Sequence, residues 1–488
     1  MQEINSGRAI VLFLVIITLM IVREGYLFER ESLHFDESLS LSISSYSNDG
    51  FRTQIKEGEY TGNDIRRIMW ENKFTPLETT INLWQDNRDP PHSNVFYTLL
   101  QLWNRVPNNS IYSAIPLWSA QLNILLYALS ALSLYIFSLL LFRKTFLSIA
   151  IVVISGMASQ SISNTIFIRP YQLQDLMFVI YTTLLFISST KKSNNNSFIF
   201  LFTLTTAITA LTGYFAIIYI ALTFPVFVYY MTINYGYRSG LIKSSLVVAS
   251  SIATAFVIYP RYFFLNNYRS QEAIGKIGSF SENLSASLSS MKIFGDNFYL
   301  FFAIFSISIL ALFFDALRNK KNEAIFLLYI SIAASLWCFV VMFFAPYKTP
   351  RYIYPALPII ALVYSYVFHI INGKSSFIIV IIACVMATYN LYNNGRVEFL
   401  FKDKPVYCTA IHNNNAVIHM DKYYMMGAIA SCFNESKTYL IYNDNLPKDK
   451  LKNYNLMISD EKLTVPDFSL SKNQEQNGKY FSIYQRVN

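Results

Sequence analysis

Apolar runs of about 15–25 residues recur from one end of the chain to the other, and they limit its fold more than any other feature. A helix needs about 20 mainly apolar residues to cross a bilayer. Only helices or a closed barrel can satisfy their backbone groups there, and these runs are too continuous for barrel strands. Charged residues make up 14% of the chain, against about 25% in soluble domains. The sequence therefore predicts an all-α polytopic membrane protein.

Eleven segments are predicted to cross the membrane. The first is expected to remain as an anchor, because a charged stretch follows it directly and no small-residue cleavage site is evident. Only Gly213 and Tyr214 could form the turn that divides the fifth segment from the sixth. The segments are about 9–27, 117–141, 146–165, 171–189, 197–212, 213–231, 241–259, 297–315, 324–345, 354–371 and 376–391.

Basic residues set the predicted orientation of this transmembrane domain, residues 1–391. With the N-terminus in the cytoplasm, each short loop that faces inward carries Lys or Arg, as the positive-inside rule requires. The C-terminus and two longer loops, 23–116 and 260–296, then lie outside. We attribute the net charge of +9 to this orientation and not to nucleic-acid binding, for which no motif is present. Loop 260–296 suits either a mobile segment over a site or an unstructured connector.

A polar composition separates the tail, residues 392–488, from the transmembrane domain. Alternating apolar residues predict strands at 415–420, at 437–444 and near the C-terminus, with a helix between the first two. We expect a small extracytoplasmic α/β domain. Its Cys408 and Cys432 could form a disulfide in an oxidising compartment, or could remain two free thiols.

Two acidic clusters occupy the first external loop. The stretch HFDES, beginning at His34, places Asp36 and Glu37 about ten residues beyond the first span. These residues could simply begin a helix, with Asp36 as its cap and Glu37 in its first turn. A carboxylate at the membrane face could instead accept a proton from an incoming hydroxyl or amine, and restricted water there could raise its pKa.

The second cluster, WQDNRDPPH, ends the polar part of the loop at His92. Pro90 and Pro91 impose an extended, stiff backbone ahead of an aromatic and apolar helix. This could be an ordinary rigid turn before an interfacial helix, with Trp and Tyr at headgroup level. Two carboxylate clusters at one membrane face nevertheless indicate that chemistry takes place at that face.

These motifs and two later ones resemble those of the C-type glycosyltransferase superfamily, in the branch of protein O-mannosyltransferases and aminoarabinose transferases. The resemblance covers roughly residues 9–371, by the order and spacing of the motifs. Asp36 and Glu37 match the acidic pair that follows the first span of those enzymes. The other matching positions, in PHSNVFYTLLQLW, IRPYQLQDL and TPRYIYPALP, are His92, Tyr97, Trp103, Arg169, Tyr171, Arg351 and Tyr352.

One departure from the family pattern leaves the second acid open. Where the family has a double proline after the histidine, this chain has Ser93 and Asn94, and its own double proline precedes His92. We expect Asp89 to be the second acid of the site, and Asp86 is the alternative.

The resemblance implies a membrane enzyme that takes a sugar from a polyprenyl-phosphate carrier on the non-cytoplasmic side, with inversion at the anomeric carbon. On this basis we expect Asp36 to be the general base on the acceptor. Asp89, helped by Glu37, would position the donor or the acceptor, or would hold a divalent cation (Mg or Mn) if one is used. The family includes metal-dependent and metal-independent enzymes, and no residue here decides between them.

Chemistry also favours a lipid-linked donor. Nucleotide sugars are cytosolic, so transfer outside needs a donor carried by the membrane, whose phosphate lies at the headgroup plane. Arg169, Lys348 and Arg351 are predicted at that depth, where they could stabilise the leaving phosphate or simply extend to lipid headgroups. The remaining residues expected to bind substrate are His92, Tyr97, Tyr171 and Tyr352.

The sequence thus predicts a glycosyltransferase of the bacterial cytoplasmic membrane, with its active site on the extracytoplasmic face. Its partners would be the bilayer, the lipid-linked donor and a glycan, lipid or protein acceptor. A flippase or transporter would carry mid-membrane charges and often repeated halves, whereas these spans are nearly free of charge. A polysaccharide polymerase or ligase would use the same donor, but we expect its large loop late in the chain. A non-catalytic membrane scaffold is the remaining alternative.

Overall fold

The structure, a computed structural model, combines a helical bundle with one six-stranded sheet. The double proline at residues 90–91 lies outside the described part of the chain. The structure describes residues 6–30, 32–47, 55–86, 89, 92–106, 112–189, 196–263, 268–296, 299–319, 322–345, 347–370, 374–394, 396–400, 406–421, 425–442, 448–476 and 479–487.

Every segment predicted to span the membrane coincides with helical residues. The first helix and those of the first external loop are α1 (Ser6–Phe28), α2 (Phe35–Ser45), α3 (Gly62–Trp70), α4 (Pro76–Gln85) and α5 (Val95–Trp103). The helices that follow, before the tail, are α6 (Ile115–Phe142), α7 (Thr145–Gly156), α8 (Ser159–Ile166), α9 (Tyr171–Ser188), α10 (Asn196–Ala210), α11 (Tyr214–Tyr235), α12 (Tyr237–Ile258), α13 (Tyr268–Gly278), α14 (Phe280–Asp296), α15 (Tyr299–Asn319), α16 (Asn322–Phe344), a 3-10 helix (Pro350–Ala356), α17 (Leu357–Tyr364), α18 (Tyr366–Ile370) and α19 (Lys374–Asn394).

Six of the described helices are long and apolar enough to cross a membrane, or seven if the bent pair α7 and α8, which meet at 66°, forms one span. The count of eleven and the orientation of the termini stay predictions. The segment 197–231 is two helices, because α10 ends at Ala210 and α11 begins at Tyr214. Loop 260–296 contains α13 and α14, so the interpretation of it as an unstructured connector is wrong.

The tail forms a small sheet domain that includes a strand from the first external loop. Strand β1 (Gly58–Thr61) pairs antiparallel with β3, so the first loop and the tail lie at the same face of the membrane. The strand order is β1-β3-β2-β4-β6-β5, and β2 runs parallel to both β3 and β4. The tail elements are α20 (Val406–Asn413), β2 (Ala416–His419), α21 (Met426–Ile429), β3 (Thr438–Tyr442), α22 (Lys448–Leu451), β4 (Leu456–Ser459), β5 (Phe468–Gln476) and β6 (Lys479–Arg486).

The three strands predicted from alternating residues are confirmed as β2, β3 and β6, whereas β1, β4 and β5 were not predicted. Apolar packing joins the tail to the first loop. Leu41 and Ile43 of α2 share one buried core with Met426 and Ile429 of α21. Removing these side chains from water is the main favourable contribution to such a contact. The helix that carries the first acidic pair is therefore supported by the tail.

A disulfide joins Cys408 of α20 to Cys432, with the two Cα atoms 4.8 Å apart. It confirms the first of the two alternatives considered for these cysteines. Cys338 and Cys384 are free thiols. Because the two bonded residues are 24 positions apart, the disulfide closes a loop that contains β2 and α21.

A substitution at Gly62 tests the contact between the first external loop and the tail. A Cβ atom at Gly62 would clash with the backbone carbonyl of Asn434, which cannot rotate away. We expect Gly62→Ala to lower the thermal unfolding midpoint of the purified protein, through a destabilisation of about 1–3 kcal/mol. Gly25→Ala is the matched control, because nothing lies within 4 Å of a Cβ at that position. Equal destabilisation by both substitutions would contradict the proposed clash.

Candidate active site

His34, and not Asp36, caps the N-terminus of α2. Its Nδ1 accepts a hydrogen bond of 3.0 Å from the backbone N–H of Asp36, and its own backbone N–H donates to Glu37 at 2.8 Å. This reciprocal arrangement satisfies backbone donors that have no partner within the helix. The interpretation of Asp36 as the cap is therefore wrong. Its carboxylate instead pairs with Arg351, with 3.1 Å between Oδ2 and Nη2.

Glu37 is fully enclosed by protein, in contrast to its neighbour. Its Oε1 lies 2.6 Å from Arg30 and accepts the backbone N–H of Ile168 at 3.0 Å. Burial raises the pKa of Glu37 above its usual value, although Arg30 and the backbone donors oppose this rise. Glu37 therefore attaches the start of α2 to the segment that follows α8, and this attachment positions Asp36.

Arg169, between α8 and α9, connects the two acidic clusters. Its Nη2 lies 2.7 Å from Asp89 Oδ2. Its Nη1 donates to Tyr97 Oη at 3.1 Å and to Ser40 of α2 at 3.2 Å. Tyr97 in turn donates to Asp89. Because the guanidinium donors form a planar fork, this one side chain holds both clusters in fixed positions.

Asp89, and not Asp86, is the acid of the second cluster that pairs with Arg169. Asp86 ends α4, where its carboxylate accepts from Tyr46 at 3.3 Å. Its backbone carbonyl accepts from the side chain of Asn94 at 2.9 Å. These contacts hold Asp86 at the C-terminal end of α4.

Aromatic rings surround the ion pairs. His92 and Tyr171 meet edge to face with ring centroids 5.3 Å apart, and Tyr171 meets Tyr352 in the same way at 5.9 Å. The guanidinium of Arg351 lies over the ring of Tyr352, 5.3 Å from its centroid, a contact that contributes about 0.5–2 kcal/mol. All the predicted site residues except Lys348 therefore lie in one connected group.

Positive charge decides the ionisation of both carboxylates. Burial by itself would raise the pKa of Asp36, but the positive charges of Arg169 and Arg351 bring that pKa below its usual value. Burial opposed by Arg169 likewise leaves the pKa of Asp89 below its usual value. The expected rise in the pKa of Asp36 is wrong, because attraction to nearby cations outweighs the loss of water. Both acids are ionised at neutral pH.

The two histidines of the site are neutral at physiological pH. Burial lowers the pKa of His34 to about 4, and it lowers the pKa of His92 to about 4. A neutral ring explains how His34 Nδ1 can accept the capping hydrogen bond. His92 Nδ1 is buried and has no hydrogen-bond partner among the described residues. Because buried polar atoms are usually paired, this nitrogen is available for a further hydrogen bond.

Two residues singled out in the sequence lie apart from this group. Lys348 donates to the carbonyls of Met342 and Phe343 at 2.9 and 2.7 Å, and so satisfies the C-terminal end of α16. Burial lowers the pKa of Lys348 to about 8. Trp103 stacks on Trp118, with ring centroids 5.1 Å apart. Within the described part of the chain, neither residue contacts the ion pairs Asp36–Arg351 and Asp89–Arg169.

Two residues at the start of the tail join the site, although no motif in the sequence pointed to them. Phe399 stacks on Phe167 with ring centroids 4.0 Å apart and meets His34 edge to face at 5.9 Å. Glu398 forms a hydrogen bond with the side chain of Tyr354. A short polar segment such as this one gives no pattern from which long-range contacts could be predicted.

Asp36 and Asp89 already pair with guanidinium groups, and these pairs affect whether a divalent cation could bind at the site. Magnesium prefers oxygen ligands, but here it would have to displace Arg351 from Asp36 or Arg169 from Asp89. In this arrangement the site therefore does not fit a divalent cation. Among the described residues, one group of three side chains has ligand atoms close enough to share an ion. It lies in the tail and consists of His419, Asp460 and Glu461.

No family model and no curated protein sequence matches this chain. The fold has solved counterparts. ArnT from Cupriavidus metallidurans, solved bound to undecaprenyl phosphate, matches with a TM-score of 0.53 over 98% of each chain, at 10% sequence identity. This chain has the C-type glycosyltransferase fold. The oligosaccharyltransferase AglB from Archaeoglobus fulgidus, in complex with an inhibitory peptide and a dolichol-phosphate, has a TM-score of 0.47 over 91% of this chain and 69% of its own, at 8% identity.

The C-type glycosyltransferase fold confirms the resemblance predicted from the motifs. The likeness to ArnT extends over the whole chain, including the tail, although the sequence resemblance stopped at about residue 371. Together with the apolar helices, it identifies an integral membrane protein.

The enclosed position of Glu37 predicts that it maintains stability. Glu37→Gln leaves Arg30, whose side chain is 5% exposed, without its counter-charge. Breaking a buried pair in this way destabilises a protein by about 3–5 kcal/mol, so we expect a large fall in the thermal unfolding midpoint. Asp36→Asn is the control, because the Asp36 side chain is 24% exposed and water can partly replace its partner. A larger fall for Asp36→Asn than for Glu37→Gln would contradict these assignments.

Proposed function

We propose that this chain is an inverting membrane glycosyltransferase that moves a sugar, a hexose or a pentose, from a polyprenyl-phosphate carrier to an extracytoplasmic acceptor. The proposal rests on one observation: two ion pairs, Asp36–Arg351 and Asp89–Arg169, lie together within the C-type glycosyltransferase fold. ArnT, whose fold this chain shares, was solved bound to undecaprenyl phosphate, which supports a carrier of that class.

Asp36 is proposed as the general base. It is ionised, and its side chain is 24% exposed, against 12% for Asp89. An acceptor hydroxyl would give its proton to Asp36 while its oxygen forms a bond to the anomeric carbon. The bond from that carbon to the phosphate oxygen breaks, and its electron pair leaves with the phosphate. Attack opposite the leaving group inverts the anomeric carbon. Asp89, held by Arg169, would position a substrate.

The two arginines are proposed to bind the phosphate that leaves. Arg351 and Arg169 present guanidinium donors that match phosphate oxygens, and their charge would stabilise the negative charge that develops there. Lys348 remains a proposed contact for the carrier, at the end of α16. The site residues proposed to contact donor or acceptor through rings and hydroxyls are His92, Tyr97, Tyr171 and Tyr352.

The tail supports an active site on the extracytoplasmic face of a bacterial cytoplasmic membrane. Disulfides persist in oxidising compartments and are rare in the cytosol, so the bond between Cys408 and Cys432 favours an exported tail. The pairing of β1 with β3 places the first loop on that same side. The ion pairs belong to this loop and to the segments that contact it.

Asp36→Asn tests both the activity and the base. We expect the wild-type protein, purified into lipid, to release sugar from one of a panel of radiolabelled polyprenyl-phosphate hexoses and pentoses. Asp36→Asn should release it at least about 100-fold more slowly while still binding undecaprenyl phosphate, because a neutral amide cannot take the proton. Glu78→Gln, an exposed carboxylate of the same loop, is the control and should keep the wild-type rate.

Equal release by wild type and Asp36→Asn would remove Asp36 from the mechanism. If the wild type releases no sugar from any donor but moves the donor across the bilayer, the chain is a lipid-linked-sugar flippase. Attachment of preassembled lipid-linked glycan, in place of a single sugar, would identify a polymerase or ligase.

The rate of transfer is expected to persist at acidic pH. Nearby cations hold the pKa of Asp36 below its ordinary value of 3.8, so the base keeps its charge until the pH falls below that range. His34 and His92, with pKa values lowered to about 4, add no titration near neutrality. Sugar release should change less than twofold between about pH 8 and about pH 5.5. A loss of rate with a midpoint between about pH 6 and 7 would show that another group is the base.

A further inference from the structure

The segment at the start of the tail that follows α19, residues 396–400, is held against the site from two sides. The backbone N–H of Glu398 donates to Ser163 of α8 at 2.8 Å. Phe399 stacks on Phe167, and its φ of 67° lies in the left-handed region that residues other than glycine rarely adopt. A backbone conformation of this kind persists only where surrounding contacts enforce it. The contacts that hold this segment therefore determine where Glu398 points.

The carboxyl group of Glu398 interacts with the 3-10 helix that carries Arg351, the partner of the proposed base. It accepts a hydrogen bond from Tyr354 and interacts electrostatically with Arg351, and both partners belong to the 3-10 helix Pro350–Ala356. Arg351 also pairs with Asp36 at 3.1 Å. One guanidinium group thus interacts with two carboxylates, one in direct contact and one at longer range. Burial raises the pKa of Glu398 above its usual value, and Tyr354 and Arg351 oppose this rise.

We propose that Glu398 is a positioning residue of the transferase site, which acts through Arg351 to promote release of the polyprenyl phosphate product. This inference rests on the proposed function. A second negative charge near Arg351 weakens the hold of that arginine on any phosphate, and it weakens the ion pair of Arg351 with Asp36. The base is then easier to free for the incoming hydroxyl.

The charges of donor and product explain why this effect favours release. A polyprenyl-phosphate sugar is a phosphodiester with one negative charge. Loss of the sugar leaves a phosphomonoester, whose charge is about −1.5 to −2 at neutral pH. Repulsion by Glu398 therefore acts more strongly on the product than on the donor. The site can bind the donor through its arginines and still let the more highly charged product leave.

The test is the affinity of the purified full-length protein in nanodiscs for undecaprenyl phosphate. We expect Glu398→Gln to bind this lipid about 5–10-fold more tightly than the wild type, because the amide keeps the shape and loses the charge. Turnover should fall in the same variant, since release becomes slower. Tighter binding with slower turnover is a combination that simple loss of packing does not produce.

Two further variants separate charge from structure. Glu435→Gln, in the tail, removes a carboxylate that pairs with an arginine of the first loop, Arg66, at 3.5 Å, and should bind the lipid as the wild type does. Tyr354→Phe removes the hydrogen bond to Glu398 and keeps its charge, so its affinity should also remain close to wild type. If Glu398→Gln fails to fold, Glu398→Asp replaces it. The shorter side chain moves the negative charge away from Arg351, so the lipid should bind more tightly than in the wild type, by less than the about 5–10-fold expected for Glu398→Gln.

If Glu398→Gln binds the lipid as tightly as the wild type or more weakly, the inference is overturned. Unchanged affinity is the result expected if the Glu398 carboxyl group is neutral in the wild type. Equal tightening by Tyr354→Phe also overturns it, because packing and not charge would then be responsible. Lipid binding is measured without sugar transfer. A wild type that releases no sugar therefore rejects the proposed function, whereas the affinities of the variants decide the role of Glu398.

Discussion

The site depends on a guanidinium group buried in the first helix. Arg23 is fully enclosed and donates to Ser161 at 2.8 Å and Thr165 at 3.1 Å, both on α8, and to the carbonyl of Gly156 at 3.0 Å. A charge among apolar helices is tolerated only when its donors are satisfied, so these bonds fix α8 at its angle to α7. A side chain at Gly156 would clash with Tyr127, whose ring lies 3.3 Å from Arg23.

Helix α8 and the residues after it then serve as the attachment for distant parts of the chain. Ile168 donates its backbone N–H to Glu37 and so holds α2, while Arg169 pairs with Asp89 of the second acidic cluster. Ser163 accepts from the backbone of Glu398 at the start of the tail. Ion pairs that are held from several sides keep their geometry before any substrate binds, which is the condition for electrostatic stabilisation of a developing charge.

The tail completes this arrangement and is not an independent appendage. Its strand β3 pairs with β1 of the first loop, and its helix α21 packs on α2. The disulfide joins α20 to the short 3-10 helix Ala430–Cys432 that follows α21, which stabilises the surface against which α2 rests. The acidic pair that defines the site is thus supported by helices on one side and by the tail on the other.

By itself, the sequence determined the helical membrane class and most residues of the site, because apolar runs and motif spacing are local properties of a chain. Only the tertiary structure decided that Glu37 is enclosed, that Asp89 and not Asp86 meets Arg169, and that Lys348 lies apart. The sign of the pKa shift of Asp36 was also decided there. Each of these outcomes depends on contacts between remote positions, such as Glu37 and Ile168, which are 131 positions apart in the sequence, and no local pattern encodes such contacts.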